Sequence, residues 1–314
     1  MKVKIIRYFI GFIVFLFSSS CFTGIENTKK ITDKDVAKVV QEKDVKIVSE
    51  SEYNTIKMDT FPDWRVGKSF IVTDDNVKRV FSPTLAYDLD TLSLKGDKLS
   101  YLGYYEESVF DNEPKVNIRF SDGANEYVYP VGKTIEEIES KNVFLKVPFM
   151  VDMDMVESYN NILEGKYFYI RTSIWYDKNG VMIPGKKFIK VKILGVYPGD
   201  RIFPLRVAFE TESGESASLL MSTKYSSVQN RLFDNLFSIT DIRLNYPMIS
   251  DVNWKHIVNG TVALDMTKDE CRLSLGSPSR IQERPIYEGL QEYWYYTDGM
   301  YLVFLDGLLK QYRK

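Results

Sequence analysis

The chain has 314 residues, a length that predicts two or three domains of ordinary size. Its 41 basic and 43 acidic residues give a formal net charge of −2. A mildly acidic chain argues against nucleic acid as a partner, because such binding usually needs a clustered basic face. One histidine excludes a two-histidine zinc site, and any serine–histidine–aspartate triad would depend on His256.

The first 21 residues have the order of an export signal. Three basic residues precede an apolar run over residues 8–17, and three serines then stand before Cys21. The run is too short to span a bilayer as a helix. This pattern resembles a bacterial lipobox, with Ser18 where the usual box has leucine. The resemblance implies that residues 1–20 are a signal peptide and that Cys21 carries diacylglycerol. An ordinary cleaved signal and an uncleaved anchor are the alternatives.

A lipid on Cys21 would hold the chain to a membrane without a spanning helix, since each buried CH₂ group contributes about 0.8 kcal/mol. No second apolar run of spanning length follows residue 17. We therefore expect a cell-envelope protein, anchored by lipid at the outer membrane on its periplasmic or surface side. If Cys21 is lipidated, Cys271 has no partner for an intramolecular disulfide.

Residues 21–50 are predicted to form a lipid-anchored tether with one short helix. Thr32 and Asp35 have the spacing of a helix start, and three valines follow at helical spacing up to Val40. We expect this helix to lean on the first domain rather than to bind a partner.

Two segments, residues 51–140 and 150–245, contain similar landmarks in the same order. In each, runs of alternating apolar and polar residues predict strands with one face on a core. The first copy contains the runs 67–72, 99–103 and 116–123, and the second contains 165–170, 191–195 and 205–214. An internal duplication explains the order, and chance alternation in an aromatic-rich chain is the competing explanation.

Each copy is predicted to be a small antiparallel β-unit closed by a helix, barrel-like in the SH3 style. Thr134 and Glu137 have the spacing of a capping box, and Ser226 opens a second helical pattern through Val228, Leu232 and Leu236. Closure would remove exposed strand edges. Abundant aromatic residues also favour β-rich domains, so the predicted fold class is mainly β with α+β.

Residues 246–314 predict two helices followed by an antiparallel sheet. One helix ends at Asn259 and Gly260. The next begins at Thr267 with a capping box to Glu270 and ends at Gly276. Three strand-like runs follow over residues 279–283, 291–297 and 301–305, and residues 308–312 complete the sheet edge.

This C-terminal segment resembles the SmpA/OmlA family and the related modules similar to β-lactamase-inhibitor protein. The residues that carry the likeness are Trp254, Ile257, Gly260, Met266–Glu270, Leu275–Pro278, Glu292–Tyr296 and Val303–Gly307. The resemblance implies two helices on one face of an antiparallel sheet, and a role in binding proteins rather than in catalysis. Position 265 is Asp where the family usually has Gly.

The remaining candidates for chemistry each have an ordinary structural interpretation. His256 fits a surface or helix-end residue, and Cys271 fits a small buried thiol. Asp152 and Asp154 could act as acid and base or share a cation, but a solvent-facing position is favoured over both. No nucleotide-binding glycine motif occurs. We therefore expect no catalytic residues, cofactor or metal ion.

The run of four aromatic residues Tyr293, Trp294, Tyr295 and Tyr296 is the candidate binding surface. On a strand, alternate side chains point to opposite faces, so one pair would pack under the helices while the other could be exposed. Contact with a partner and coverage by a neighbouring domain are equally good explanations of that second pair.

These features predict an exported, membrane-tethered lipoprotein that acts as a non-catalytic binding or scaffolding component of the envelope. Envelope proteins are the expected partners. The alternative is a glycan-binding accessory lipoprotein that uses exposed aromatics such as Trp64, Trp175 or Trp294. A hydrolase is the third choice. The triplet Asp90-Thr91-Leu92 resembles the short O-glycosylation signal of Bacteroides-type bacteria, and it is too short to carry weight.

Overall fold

The computed structural model describes residues 49–82, 93–108, 113–140 and 144–313. The predicted signal peptide, Cys21, residues 22–48 of the predicted tether with its short helix, and the triplet at 90–92 all lie outside the described residues. The described residues belong to one compact unit that starts at Ser49. Within that part of the chain, the helices are all too short or too polar to cross a membrane.

The first sheet is built from five antiparallel strands. They are β1 (Ser69–Val72), β2 (Lys98–Glu107), β3 (Lys115–Ser121), β4 (Glu126–Pro130) and β5 (Met150–Asp152), in the order β4-β3-β2-β1-β5. Helix α1 (Ile135–Ser140) precedes β5, and short 3-10 turns occupy Glu50–Asn54, Phe61–Asp63 and Asp75–Arg79. The alternating apolar side chains of β2 and β3 meet in one core around Leu99, Ile118 and Phe120.

The second sheet has seven antiparallel strands. They are β6 (Tyr167–Ile170), β7 (Ile174–Tyr176), β8 (Met182–Pro184), β9 (Lys190–Pro198), β10 (Leu205–Thr211), β11 (Ser216–Met221) and β12 (Phe237–Ser238). Helix α2 (Met153–Leu163) comes before β6, and α3 (Phe233–Leu236) comes before β12. The core around Leu163, Phe168 and Phe209 also takes in Tyr53 and Met58 from ahead of the first sheet.

The two sheets share one strand order. The second sheet runs β12-β6-β9-β10-β11-β7-β8, so without the β7–β8 hairpin it repeats the order of the first sheet. In each sheet, a helix precedes the edge strand that pairs with the sheet's first strand. Helix α1 precedes β5, which pairs with β1, and α3 precedes β12, which pairs with β6. Each also has a bulge at a leucine followed by glycine, Leu102-Gly103 in β2 and Leu194-Gly195 in β9. The landmarks that recur in the sequence therefore occupy equivalent places.

The expectation of closed barrels is wrong for the described residues. Both sheets are open ladders with short outermost strands. Strand β4 has five residues, β5 and β8 have three each, and β12 has two. The fold class is confirmed at a coarser level, because the chain is mainly β with antiparallel sheets and a few helices.

The helix expected after Ser226 is also wrong, since only Phe233–Leu236 is helical. Tertiary hydrogen bonds hold the preceding residues in another conformation. Arg231 Nε donates to the carbonyl of Leu220 at 2.7 Å, and the Ser222 amide donates to the carbonyl of Arg231 at 2.8 Å. The capping box at Thr134 and Glu137 is confirmed, with distances of 3.1 and 2.9 Å.

The C-terminal segment contains two helices and a four-stranded antiparallel sheet. After a 3-10 turn at Ile242–Asn245 come α4 (Asp251–Val258), α5 (Lys268–Leu275), β13 (Arg280–Ile286), β14 (Gly289–Tyr295), β15 (Tyr301–Leu305) and β16 (Leu308–Arg313). Ile257 of α4 and Cys271 of α5 join Trp294 and Phe304 in one buried cluster. The helices therefore cover one face of the sheet.

Local signals of this segment have the expected geometry. Thr267 and Glu270 form the complete capping box of α5, and Gly276 ends that helix with a φ of 84°. Asp265 has a φ of 65°, a left-handed conformation that glycine adopts most easily. Lys310 Nζ lies 2.6 Å from the Asp265 carboxylate, which ties this turn to the edge strand β16.

Candidate binding surface

The C-terminal sheet has one face toward the helices and one face away from them. Residues that stand directly opposite each other on neighbouring strands point to the same face of the sheet. Tyr293 stands opposite Gln282 and Val303, so these three side chains lie on the face away from the helices. We call it the outer face. Its members are Arg280, Gln282, Arg284, Ile286, Gln291, Tyr293, Tyr295, Tyr301, Val303, Leu305, Leu308, Gln311 and Arg313.

The candidate run of four aromatics divides between the two faces. Trp294 is only 1% exposed, and its ring packs 4.8 Å from that of Phe304. Its Nε1 donates to the Glu292 carboxylate at 3.3 Å. Tyr296 packs against the same cluster and donates its hydroxyl to the carbonyl of Gly276. These two rings belong to the core, and Tyr293 and Tyr295 remain as candidates for binding.

Tyr293 and Tyr295 lie half-buried on the outer face. The Tyr293 hydroxyl donates to Gln291 Oε1 at 2.9 Å, and the Tyr295 hydroxyl donates to Gln282 Oε1 at 3.1 Å. The Arg280 guanidinium lies over the Tyr295 ring, 4.5 Å from its centroid. These contacts hold both rings in defined positions, which lowers the entropy lost when a partner binds.

Sequence reasoning missed the arginines and glutamines that surround these rings. The available signal was a period of two, Arg-x-Gln-x-Arg over 280–284 and Gln-x-Tyr-x-Tyr over 291–295. In the antiparallel register Arg280 stands opposite Tyr295 and Arg284 stands opposite Gln291. Reading that alternation across both strands would have placed all of these side chains on one face.

Asp152 and Asp154 both form ion pairs with the ammonium group of Lys68. Lys68 Nζ lies 2.9 Å from Asp152 and 2.5 Å from Asp154. The solvent-facing position expected for Asp152 is wrong, because its side chain is 5% exposed, whereas that of Asp154 is 52% exposed. Asp152 also caps α2 by accepting the Asp154 amide at 3.0 Å.

For both Asp152 and Lys68, burial and the neighbouring charges shift the pKa in opposite directions. Burial raises the pKa of Asp152 against the opposing effect of Lys68. Burial alone would lower the pKa of Lys68, but the two carboxylates raise it overall. The arrangement is a buried ion pair that joins β1 to the start of α2.

His256 and Cys271 occupy the positions expected of them. His256 lies in the last turn of α4, where its Nδ1 is 3.0 Å from the hydroxyl of Thr261. Cys271 is fully buried, and burial raises the pKa of its thiol to about 12. A thiol in that state is almost entirely protonated near neutral pH, and the thiolate is the nucleophilic form.

The tryptophans named for glycan stacking are not on the surface. Trp64 is 7% exposed, and Trp175 and Trp294 are 1% exposed. Trp254 is half-buried between the rings of Phe188 and Tyr246 and the guanidinium of Arg243. Trp64, Trp175 and Trp294 are therefore core residues, and Trp254 is partly covered.

No group of three or more His, Cys, Asp and Glu side chains in the described part of the chain is arranged to hold a metal ion. Comparison with known protein families, with curated proteins and with solved structures gives no match to this chain. The likeness to the SmpA/OmlA family stays a prediction from the residues that carry it.

Proposed function

We propose that this protein is an exported lipoprotein, held to the outer membrane by acyl chains on Cys21, and that it binds envelope proteins without catalysing a reaction. The N-terminal sequence supports the anchor, since basic residues, a short apolar run and small residues precede Cys21. Structural roles for Asp152, His256 and Cys271 support the absence of catalysis.

We also infer that residues 51–140 and 150–245 are duplicated units, each an open antiparallel sheet with its helix, and that residues 246–314 are an SmpA/OmlA-like module. The shared five-strand order and the Leu-Gly bulge in each sheet support the duplication. Two helices on one face of a four-stranded antiparallel sheet support the assignment of the C-terminal module.

The observation that carries the binding proposal is the composition of the outer face. Tyrosine and arginine are enriched at protein interfaces and dominate their binding energy. Here two half-buried tyrosines are held by glutamines and by Arg280 on a face whose rim is exposed. The burial of Trp64, Trp175 and Trp294 favours a protein partner over the glycan alternative.

Site-specific photo-crosslinking in intact cells tests this proposal. A photoreactive phenylalanine analogue is placed at Tyr293 or Tyr295, with Tyr167 as the matched control, since that tyrosine is 55% exposed on another sheet. We expect one or a few defined protein adducts from the outer face and none of these from position 167. The same adducts from all three positions, or none from positions 293 and 295, would overturn the proposal.

A further inference from the structure

We propose that the outer face binds an acidic segment of its partner protein, an inference that rests on the proposed function. Three arginines, Arg280, Arg284 and Arg313, lie exposed on this face. Among the described residues, none of the three forms an ion pair with a carboxylate. The face therefore carries positive charge on a chain whose net charge is negative.

The carboxylates of the same strands point away from this face. Glu283 and Glu292 stand opposite each other in the register and alternate with the outer residues, which places both on the helix side. Glu292 is buried there, with Lys268 Nζ 2.6 Å from its carboxylate. The sequence alternation thus separates the charges by face, and outer positions of β13 and β14 carry only arginine, glutamine and tyrosine as polar residues.

The polar groups of the outer face are mostly donors. Gln282 and Gln291 use their carboxamide oxygens to accept the tyrosine hydroxyls, which leaves their NH₂ groups as donors toward solvent. Arg280 is held over Tyr295, so its guanidinium loses less freedom on binding. A guanidinium group donates hydrogen bonds and cannot accept them, so it complements a carboxylate. One carboxylate accepts two parallel hydrogen bonds from one guanidinium.

The spacing of the donors favours an extended peptide segment. Arg280 and Arg284 are four residues apart on β13, which corresponds to about 13 Å along a strand. An extended partner segment with acidic side chains on alternate residues has its carboxylates at matching intervals. Gln282 lies between the two arginines and would contact the intervening acidic residue.

Retention on immobilised peptides tests the inference. The probe is a peptide of alternating Glu and Thr, and a peptide of alternating Gln and Thr is its neutral match. The chain is the full mature sequence with Cys21→Ser, compared with an Arg280→Glu/Arg284→Glu/Arg313→Glu variant. The control variant Lys57→Glu/Arg65→Glu/Lys178→Glu carries the same charge change at exposed positions elsewhere. A second face variant, Arg280→Gln/Arg284→Gln/Arg313→Gln, is used if the first face variant fails to fold.

We expect the Cys21→Ser chain and the control variant to bind the acidic peptide and not the neutral one. The face variants should bind at least tenfold more weakly, and retention should fall as salt rises, because exposed charges are screened. Equal retention of face and control variants would overturn the inference. Binding to phosphatidylglycerol vesicles without binding to the acidic peptide would overturn it in favour of a lipid surface.

The two proposals can fail separately. If the acidic peptide is not retained while position 295 still crosslinks to a protein, the partner chemistry is wrong and the proposed function stands. If both experiments give nothing, both proposals are wrong.

Discussion

At the scale of single residues, Lys68 and Asp152 form a buried ion pair, with side chains that are 3% and 5% exposed. The sequence drew attention to Asp152 and Asp154 because they stand close together, but it gave no indication of their partner. Lys68 lies directly before β1, far away along the chain, and the pairing of β1 with β5 brings it near. Long-range partners of this kind are fixed by the fold rather than by local sequence.

The ion pair makes a prediction for stability. Lys68→Met should lower the free energy of unfolding by about 3–5 kcal/mol, because it leaves a buried carboxylate without its cation. Asp154→Asn should lower it by at most about 1 kcal/mol, since that partner is half-exposed. The measurement is urea unfolding followed by circular dichroism.

The double variant Lys68→Met/Asp152→Ser is the control for this interpretation. It keeps a capping residue for α2 but removes the buried charge. It should be more stable than Lys68→Met alone. Equal losses for Lys68→Met and Asp154→Asn would contradict the account.

At the scale of elements, the signals that the sequence predicted well are those confined to a few neighbouring residues. Both capping boxes, at Thr134 and Thr267, and the end of α5 at Gly276 are of this kind. The helix expected after Ser226 was wrong because Arg231 hydrogen-bonds to β11 instead. Because side chains alternate along a strand, the sequence places Trp294 and Tyr295 on opposite faces of the sheet. It does not say which face the helices cover, since that depends on the packing of α4 and α5.

No sequence motif singles out Lys187, which connects the second sheet to α4 and α5. Lys187 lies between β8 and β9, is 9% exposed, and donates from Nζ to the carbonyl of Ser274 near the end of α5. Its amide donates to the carbonyl of Val258 at 3.1 Å, at the end of α4. The lysine thus joins the second sheet to the C-terminal ends of both helices, where backbone carbonyls carry partial negative charge.

Burial lowers the pKa of Lys187 to about 8, below its ordinary value near 10.5. Between these two values the unfolded chain binds more protons than the folded chain, so the free energy of unfolding should rise with pH. The rise is at most about 1.4 kcal/mol per pH unit. The free energy of unfolding of the unaltered chain, minus that of Lys187→Met, should therefore increase from pH 7.5 to pH 10.

Urea unfolding of both proteins across that range measures the difference. Tyrosines that also titrate at high pH are common to both chains, so their effects cancel. Parallel stability curves for the two proteins would contradict a lowered pKa of Lys187.

At the scale of the whole molecule, location and binding depend on different parts of the chain. The lipid on Cys21 would fix the protein to the membrane, and residues 22–48 would link it to the unit that begins at Ser49. The chain has a negative net charge, but the outer face of its C-terminal sheet carries arginines, so the charge is unevenly distributed. A membrane anchor limits the partners to proteins of the same compartment, and the outer face would then select among them by charge.

Labelling with a clickable fatty acid, followed by membrane fractionation, tests the anchor most directly. The unaltered chain should take up the label and stay with the membranes after an alkaline carbonate wash. The Cys21→Ser chain should take up none and should be released by the wash. An unlabelled chain, or a Cys21→Ser chain that stays with the washed membranes as firmly as the unaltered one, would contradict the account.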